Sequence, residues 1–336
     1  MVIGTPAAWC GLRAADSPEL NMLAMKLNRR TFCTTAASGI VAAAAKNVPA
    51  ASPAGERFRL RYLVGSPMYG GMTLGEILPE VHKTGAAFID IWASHAKPVT
   101  QRQMVDRMGH DRFSRMLNDH RVQVACFTHF TLGPFRLQEE MKVAGNLGIN
   151  RTVLVCGAVG PKGLQGSELK AAVRRFAHKL KPHIAAAEQT HTVIAIENHG
   201  NSLIESPDSM KWLVEAADSD HLGIALAPYH LEQDTGTIAK LVEDLRNRIA
   251  LFYAWQYGMG CTMKLPKEQE LMQLPGRGPL DFTPILAALE KIAFRGFTEI
   301  FMHPVPRGIP ILDTAAQVTA EINRARAYLD TCLSNT

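Results

Sequence analysis

The sequence predicts an α/β fold, a closed (β/α)8 TIM barrel. From residue 57 onward, eight apolar or β-branched runs alternate with longer segments of helical periodicity. Strands that alternate with helices indicate a parallel sheet, and eight such units fit a closed barrel better than an open doubly wound sheet. The GxGxxG pattern of a dinucleotide-binding turn does not follow the first strand. We therefore expect one barrel domain over residues 57–333.

The elements follow one another regularly along the chain. The predicted strands cover residues 59–66, 87–94, 122–130, 151–159, 192–199, 222–229, 248–257 and 297–303. The predicted helices cover residues 73–85, 135–148, 167–189, 206–218, 237–247, 281–293 and 314–330. Ser206 and Asp281 are expected to cap helix N-termini, and Gly85 and Gly148 are expected to close helices.

Composition narrows the class of protein. Of the 336 residues, 47% are hydrophobic and 20% are charged, which is typical of a globular protein. The net charge of +5 is small and no long run of Lys and Arg occurs, so nucleic-acid binding is not expected. The six cysteines show no CxxC spacing, and neither a disulfide framework nor a cysteine-based zinc site is indicated.

The N-terminal segment, residues 1–50, is predicted to be an export signal and leader. Arg29 and Arg30 precede a short alanine-rich apolar stretch, followed by small residues suited to a signal peptidase. This pattern is typical of a twin-arginine signal, and Met25 is a possible true start. The prediction is export by the twin-arginine machinery to a periplasmic or other extracytoplasmic site. The alternative is a membrane-anchoring or incidental apolar segment.

The chemistry of a TIM barrel lies at the C-terminal ends of its strands, where the loops form a cup. Glu197 follows the apolar run TVIAI, where an inward carboxylate is costly unless it is paired or bound to a metal. Because side chains alternate along a strand, Glu197 and His199 share one face. Further polar residues stand at the other strand ends: Asp90, His95, His129, Asn198, His230, Gln256, His303 and Arg307. This clustering indicates a functional site.

These residues resemble the xylose-isomerase-like superfamily of sugar isomerases and epimerases. The resemblance is carried by AIENHG (195–200), LGIALAPYH (222–230) and the passage from residue 275 into the eighth strand. It implies a divalent metal held by the glutamate of strand five and by an Asp-x-x-His motif on strand six. It also implies a histidine on strand seven and a second glutamate on strand eight. Glu197 and His230 match this pattern.

Three positions depart from that pattern. Ala227 stands where the resemblance implies a metal-binding aspartate, and a methyl group cannot bind a metal. Tyr253 stands at the histidine position of strand seven, and His303 at the second glutamate. Glu299 lies too early in strand eight to replace that glutamate without a change of register.

Two interpretations of the altered site are open. In the first, Glu197, His230 and His303, with Gln256 or water, bind Mn, Zn or Fe, for which imidazole and carboxylate ligands are suited. Glu197 and His303 are then the candidate proton-transfer residues. The substrate is expected to be a small carbohydrate that contacts His129, His199, Tyr253, Trp255 and Arg307. The reaction is isomerisation or epimerisation next to a carbonyl, or elimination from a 3-keto-glycoside.

In the second interpretation the barrel has lost its metal and binds a carbohydrate without converting it. Trp92, Phe130, Tyr229 and Trp255 would then supply stacking surfaces. The resemblance also implies that a homo-oligomer is possible.

Overall fold

A computed structural model of the chain describes residues 57–336, and the predicted export signal lies outside them. Eight parallel strands close into a barrel in sequence order, which confirms the predicted fold. The strands are β1 (Arg61–Gly65), β2 (Phe88–Trp92), β3 (Gln123–Thr128), β4 (Gly148–Gly157), β5 (Thr192–Glu197), β6 (Leu222–Leu226), β7 (Ile249–Ala254) and β8 (Phe297–Ile300). Each predicted strand overlaps an observed one.

Helices connect the strands. They are α1 (Leu74–Val81), α2 (Gln101–Met108), α3 (His110–His120), α4 (Gln138–Leu147), α5 (Gly166–Gln189), α6 (Pro207–Ala216), α7 (Thr235–Leu245), α8 (Lys267–Glu270), α9 (Thr283–Lys291) and α10 (Ala315–Ser334). The segments α2, α3 and the short α8 were not predicted. Within residues 57–336, no helix is both long and apolar enough to cross a membrane.

Local signals explain several helix boundaries. Ser206 caps α6 as predicted, because its side chain accepts a hydrogen bond from the backbone of Ser209. Asp281 differs from its prediction: its carboxylate accepts from the backbone N–H of Thr283, but the N-cap of α9 is Phe282. Gly85 ends the short turn after α1 with a φ of 76°, a conformation that glycine adopts at little cost.

The buried strands of the barrel position the strand ends that form the cup. Every residue of β5 is buried, as expected for a parallel strand covered on both faces. Glu197 ends this strand and pairs in register with Gly157 of β4 and Ala225 of β6. The carboxyl group of Glu197 therefore lies at the C-terminal end of the barrel, at the base of the cup.

Candidate active site

Glu197 is the central acidic group of the cup. Its side chain is nearly inaccessible, with the whole residue 3% exposed. Burial raises the pKa of its carboxyl group to about 7, although the neighbouring His199 lowers that pKa in part. A carboxyl group with this proton affinity can accept or donate a proton near neutral pH.

His230 is the nearest imidazole to Glu197. Its Nε2 lies 3.4 Å from Oε1 of Glu197, but this nitrogen has no aligned hydrogen-bond partner among the described residues. Burial, together with the charge of Arg307, lowers the pKa of His230 to about 4. The imidazole is therefore neutral at pH 7, and the contact is not an ion pair.

The backbone before His230 is held by Asn198. The amide of Asn198 donates to the carbonyl of Ala227 at 3.0 Å and accepts from its N–H at 2.7 Å. This two-point contact joins the ends of β5 and β6. Because both ends of the Asn198 amide are used, that side chain supports the cup and does not bind a ligand in it.

His199 lies over His230, with the two ring centroids 4.1 Å apart. Its Nδ1 donates to the carbonyl of Gly200 at 2.8 Å. His199 is exposed, and we assign it to the outer part of the cup.

His303 belongs to a second imidazole pair. Its ring stacks on His95 with centroids 4.6 Å apart, and it contacts the edge of Trp255 at 5.0 Å. Its Nδ1 has no hydrogen-bond partner in the part of the chain that the structure describes. Burial lowers the pKa of His303, and the nearby His95 and Arg307 add to this effect. His95 was noted at a strand end, but its pairing with His303 was not predicted.

Arg307 lies at the rim, on the loop after β8. Its Nη2 contacts Sγ of Cys261 at 3.8 Å. Cys261 is in turn 3.0 Å from the hydroxyl of Tyr229, whose ring stacks on Trp255 with centroids 3.8 Å apart. Arg307 is exposed, as expected for a residue that meets a ligand from solution.

Gln256, Trp255 and Tyr253, which are predicted to bind metal or substrate, are buried and held by contacts within the protein. Gln256 donates to the carbonyl of Leu274 at 2.9 Å and accepts from the N–H of Leu280 at 2.8 Å, so its amide fixes the loop after β7. Trp255 is 1% exposed. Tyr253 lies inside the barrel, where burial and the nearby carboxyl groups raise its pKa. These three side chains are not available to a ligand in the cup.

His129 has no contact with the other histidines of the strand ends among the contacts found in residues 57–336. Its Nδ1 is 3.3 Å from the hydroxyl of Thr131. Burial lowers its pKa, and the charged groups that act on it next are Glu140 and Arg102, which form an ion pair with each other. We find no contact in residues 57–336 that places His129 with Glu197.

Three of the four aromatic side chains that are predicted to stack on a sugar are buried. Trp92 and Trp255 are each 1% exposed, and Tyr229 is 7% exposed. Trp92 stacks on Phe301 with centroids 4.9 Å apart, and Trp255 stacks on Tyr229. These rings form the floor of the cup, and of the predicted four only Phe130 is partly accessible.

Two carboxyl groups lie beneath the cup. Asp90 and Glu299 are both fully buried, and their carboxyl groups are close enough to influence each other's pKa. The hydroxyl of Thr128 donates to Oδ2 of Asp90 at 2.6 Å. Burial raises the pKa of Asp90 to about 6, and burial together with Asp90 raises that of Glu299 well above its usual range. Burial therefore favours the protonated form of Glu299.

The predicted metal ligands do not converge. Among residues 57–336, no three His, Cys, Asp or Glu side chains are placed to hold a metal ion. Glu197 and His230 provide one carboxylate and one imidazole, whereas catalytic zinc sites use three protein ligands. Ala227 offers no donor, the Gln256 amide is occupied, and His303 stacks on His95. The donor set does not fit a three-ligand centre.

A model of the Xylose isomerase-like TIM barrel family matches residues 78–328, so the chain belongs to that family. No protein of curated function matches the sequence.

Several solved structures share the fold. The IOLI protein with a bound zinc atom has 14% identity and a TM-score of 0.64, with 82% of this chain and 99% of that chain covered. An L-ribulose 3-epimerase has 14% identity and a TM-score of 0.62, with coverages of 82% and 95%. The 3-keto-D-glucoside 4-epimerase YcjR from E. coli, in its apo form, has 13% identity and a TM-score of 0.58, with coverages of 80% and 100%. At these identities the likeness establishes the fold alone.

Proposed function

We propose that the protein is a carbohydrate-converting enzyme in which Glu197 transfers a proton at a carbon next to a carbonyl. The observation that carries this proposal is the position of Glu197: a desolvated carboxyl group at the end of β5, beside a neutral imidazole. Family membership and the sugar epimerases among the structural neighbours support the same class of reaction.

The reaction would begin when the Glu197 carboxylate accepts a proton from carbon. The C–H electron pair forms a carbon–carbon double bond, and the carbonyl electrons move to oxygen to give an enediolate. Neutral His230 and His303 are suited to donate hydrogen bonds to that oxygen. Protonation of the same carbon on its opposite face by a second donor, such as water, gives an epimer, and Glu197 then releases its proton to solvent. Return of the proton from Glu197 to the former carbonyl carbon, with transfer of the neighbouring hydroxyl proton to the enolate oxygen, gives an isomer.

Elimination is the second outcome that this chemistry allows. If the substrate carries a leaving group on the carbon next to the carbanion, the same electron pair expels it and an unsaturated ketone forms. A 3-keto-glycoside is such a substrate, and the neighbour YcjR acts on a 3-keto-D-glucoside. The products distinguish this lyase reaction from isomerisation.

A divalent metal in the cup is the second element that the family resemblance implies. The zinc-bound neighbour favours it, but only two donors meet here, and a third ligand would require His303 to leave its stack with His95. We therefore assign proton transfer to Glu197 itself and hydrogen bonding to the imidazoles.

Deuterium incorporation tests the proposal. The protein is incubated in D2O with a panel of keto-sugars and 3-keto-glycosides, and label on carbon is measured by mass spectrometry and NMR. Glu197→Gln should slow incorporation by at least about a hundredfold, because it removes the base. Glu188→Gln is the matched control on the exposed surface of α5 and should leave the rate unchanged. Incorporation that persists in Glu197→Gln would overturn the assignment.

A non-catalytic carbohydrate-binding barrel is the alternative. Its support is weaker, because the aromatic rings that were expected to stack on a sugar are buried in the floor. Binding of a sugar without incorporation of label from any member of the panel would favour it.

We also propose that residues 1–50 direct export through the twin-arginine machinery, on the evidence of Arg29 and Arg30 before an apolar segment. A fusion of these residues to a reporter, compared with the Arg29→Lys and Arg30→Lys double variant, tests it. Export that is unaffected by the substitutions would contradict the assignment.

A further inference from the structure

The cup carries little negative charge at its mouth. At pH 7 His95 and His230 are neutral, since burial lowers the pKa of each to about 4. Asp90 and Glu299 are fully buried below the floor. Glu197 is the carboxyl group that meets the cup, and it is only partly ionised near neutrality.

Arg307 supplies a positive charge that the protein does not neutralise. Among residues 57–336, its guanidinium contacts Sγ of Cys261 and forms no ion pair with an Asp or Glu. Its charge lowers the pKa of His95, His230 and His303, so it acts on members of both histidine pairs. A guanidinium in this position can bind an oxyanion with two parallel hydrogen bonds.

Two buried ring nitrogens of the cup have no hydrogen-bond partner in the described part of the chain. They are Nε2 of His230 and Nδ1 of His303. The side chain of His230 is 9% exposed and His303 as a whole is 7% exposed. A buried polar atom without a partner is costly, and a bound hydroxyl or carbonyl group would satisfy it.

We infer that the ligand of the cup is an acidic carbohydrate, whose carboxylate binds Arg307 while its oxygen-bearing carbons lie against His230 and His303. This inference rests on the proposed function, because it concerns the substrate of the same cup. A carboxylate suits the single guanidinium better than a phosphate does, since a phosphomonoester brings a charge of about −1.5 to −2. Arg307 would also stabilise negative charge that develops on a substrate during proton removal.

Titration calorimetry with three probes tests the inference: D-glucuronate, D-glucose and D-glucose 6-phosphate. We expect the protein to bind glucuronate at least about tenfold more tightly than glucose. Arg307→Gln should abolish that preference and leave the affinity for glucose unchanged. Arg307→Lys should retain part of it, because lysine keeps the charge but not the planar fork. Arg175→Gln, an exposed substitution on α5, is the control and should behave as wild type.

Several results would overturn the inference. They are equal affinity for glucose and glucuronate, failure of both charged sugars to bind, and a preference that survives Arg307→Gln. Tighter binding of glucose 6-phosphate than of glucuronate would show that the cup recognises a phosphate group and not a carboxylate.

Glu197→Gln separates this inference from the proposed function. If the variant keeps both deuterium incorporation and the preference for glucuronate, the proposed function fails and the acidic ligand stands. If deuterium is incorporated only into neutral sugars and this incorporation is lost in Glu197→Gln, the inference of an acidic ligand is wrong and the proposed function is supported.

Discussion

Gly65 of β1 makes room for the carboxyl group of Glu299 on the neighbouring strand β8. A Cβ atom built on Gly65 would lie 2.9 Å from the carboxyl carbon of Glu299 and would overlap Oε1. β1 pairs with β2 on one side and with β8 on the other, and Gly65 is in register with Asp90. The missing side chain therefore lets Asp90 and Glu299 meet across β1.

Gly65→Ala should destabilise the protein by about 1–3 kcal/mol, because the new methyl group overpacks the barrel interior. Glu299→Ala in the same chain should recover part of that loss, since it removes the clashing carboxyl group. A double-mutant cycle in urea measures the coupling between the two sites. Gly75→Ala is the control: its Cβ meets nothing closer than 3.8 Å and it lies in α1, where alanine is favoured. Additive effects of Gly65→Ala and Glu299→Ala would contradict the contact.

The raised pKa of Glu299 predicts a dependence of stability on pH. The pKa of Glu299 is raised in the folded protein, so the folded state keeps a proton that the unfolded chain releases near its ordinary pKa. This favours folding at low pH, and the benefit declines as the pH rises above that value. Glu299→Gln cannot ionise, so it should gain stability relative to wild type between pH 5 and 8, by at most about 1.4 kcal/mol per pH unit.

Urea unfolding of both proteins at several pH values provides the measurement. Glu188→Gln, on the surface, should track wild type across the whole range. A difference between Glu299→Gln and wild type that stays constant with pH would show that Glu299 is ionised in the folded protein.

The sequence predicted the barrel well because each strand is a short apolar run between polar segments, and this signal is local. It missed α2 and α3, whose composition is mostly polar. Only Val105 in α2, and Phe113 and Leu117 in α3, are large apolar residues that these helices bury. Their apolar spacing is too sparse to reveal a helix without the barrel against which it packs.

The role of a site residue could be predicted when it depended on the residue and its neighbours in the sequence. It could not be predicted when it depended on a contact with a residue that is distant in the sequence. Glu197 was found because a carboxylate directly after TVIAI is conspicuous in the sequence. The role of Gln256 depends on Leu274 and Leu280, distant residues whose backbone it binds. His95 stacks on His303 because its backbone adopts a φ of 63° in the loop after β2. The residues next to His95 in the sequence do not predict this conformation.

Added metal should not stabilise the protein. A site occupied at a metal concentration a hundred times its Kd would raise the free energy of unfolding by about 2.7 kcal/mol. The incomplete donor set around Glu197 and His230 predicts no such effect. Thermal unfolding of untagged protein, with EDTA and then with Zn or Mn, should give the same Tm. A rise in Tm that is lost in both Glu197→Gln and His230→Ala would show that these residues do bind the metal.

Ala227→Asp should create the missing ligand. Asn198 fixes the backbone of residue 227 between Glu197 and His230, so a carboxylate at that position would add the donor that the family resemblance implies. Ala227 is completely buried, and an unpaired carboxylate there should lower the stability of the metal-free variant. Zinc should restore that stability, because a third ligand completes the set that zinc requires. Ala227→Asn has nearly the same shape without the charge and should not respond to zinc. If zinc leaves the Tm of Ala227→Asp unchanged, the side chain of residue 227 does not converge with Glu197 and His230, and the absence of a metal ligand has a cause beyond this one alanine.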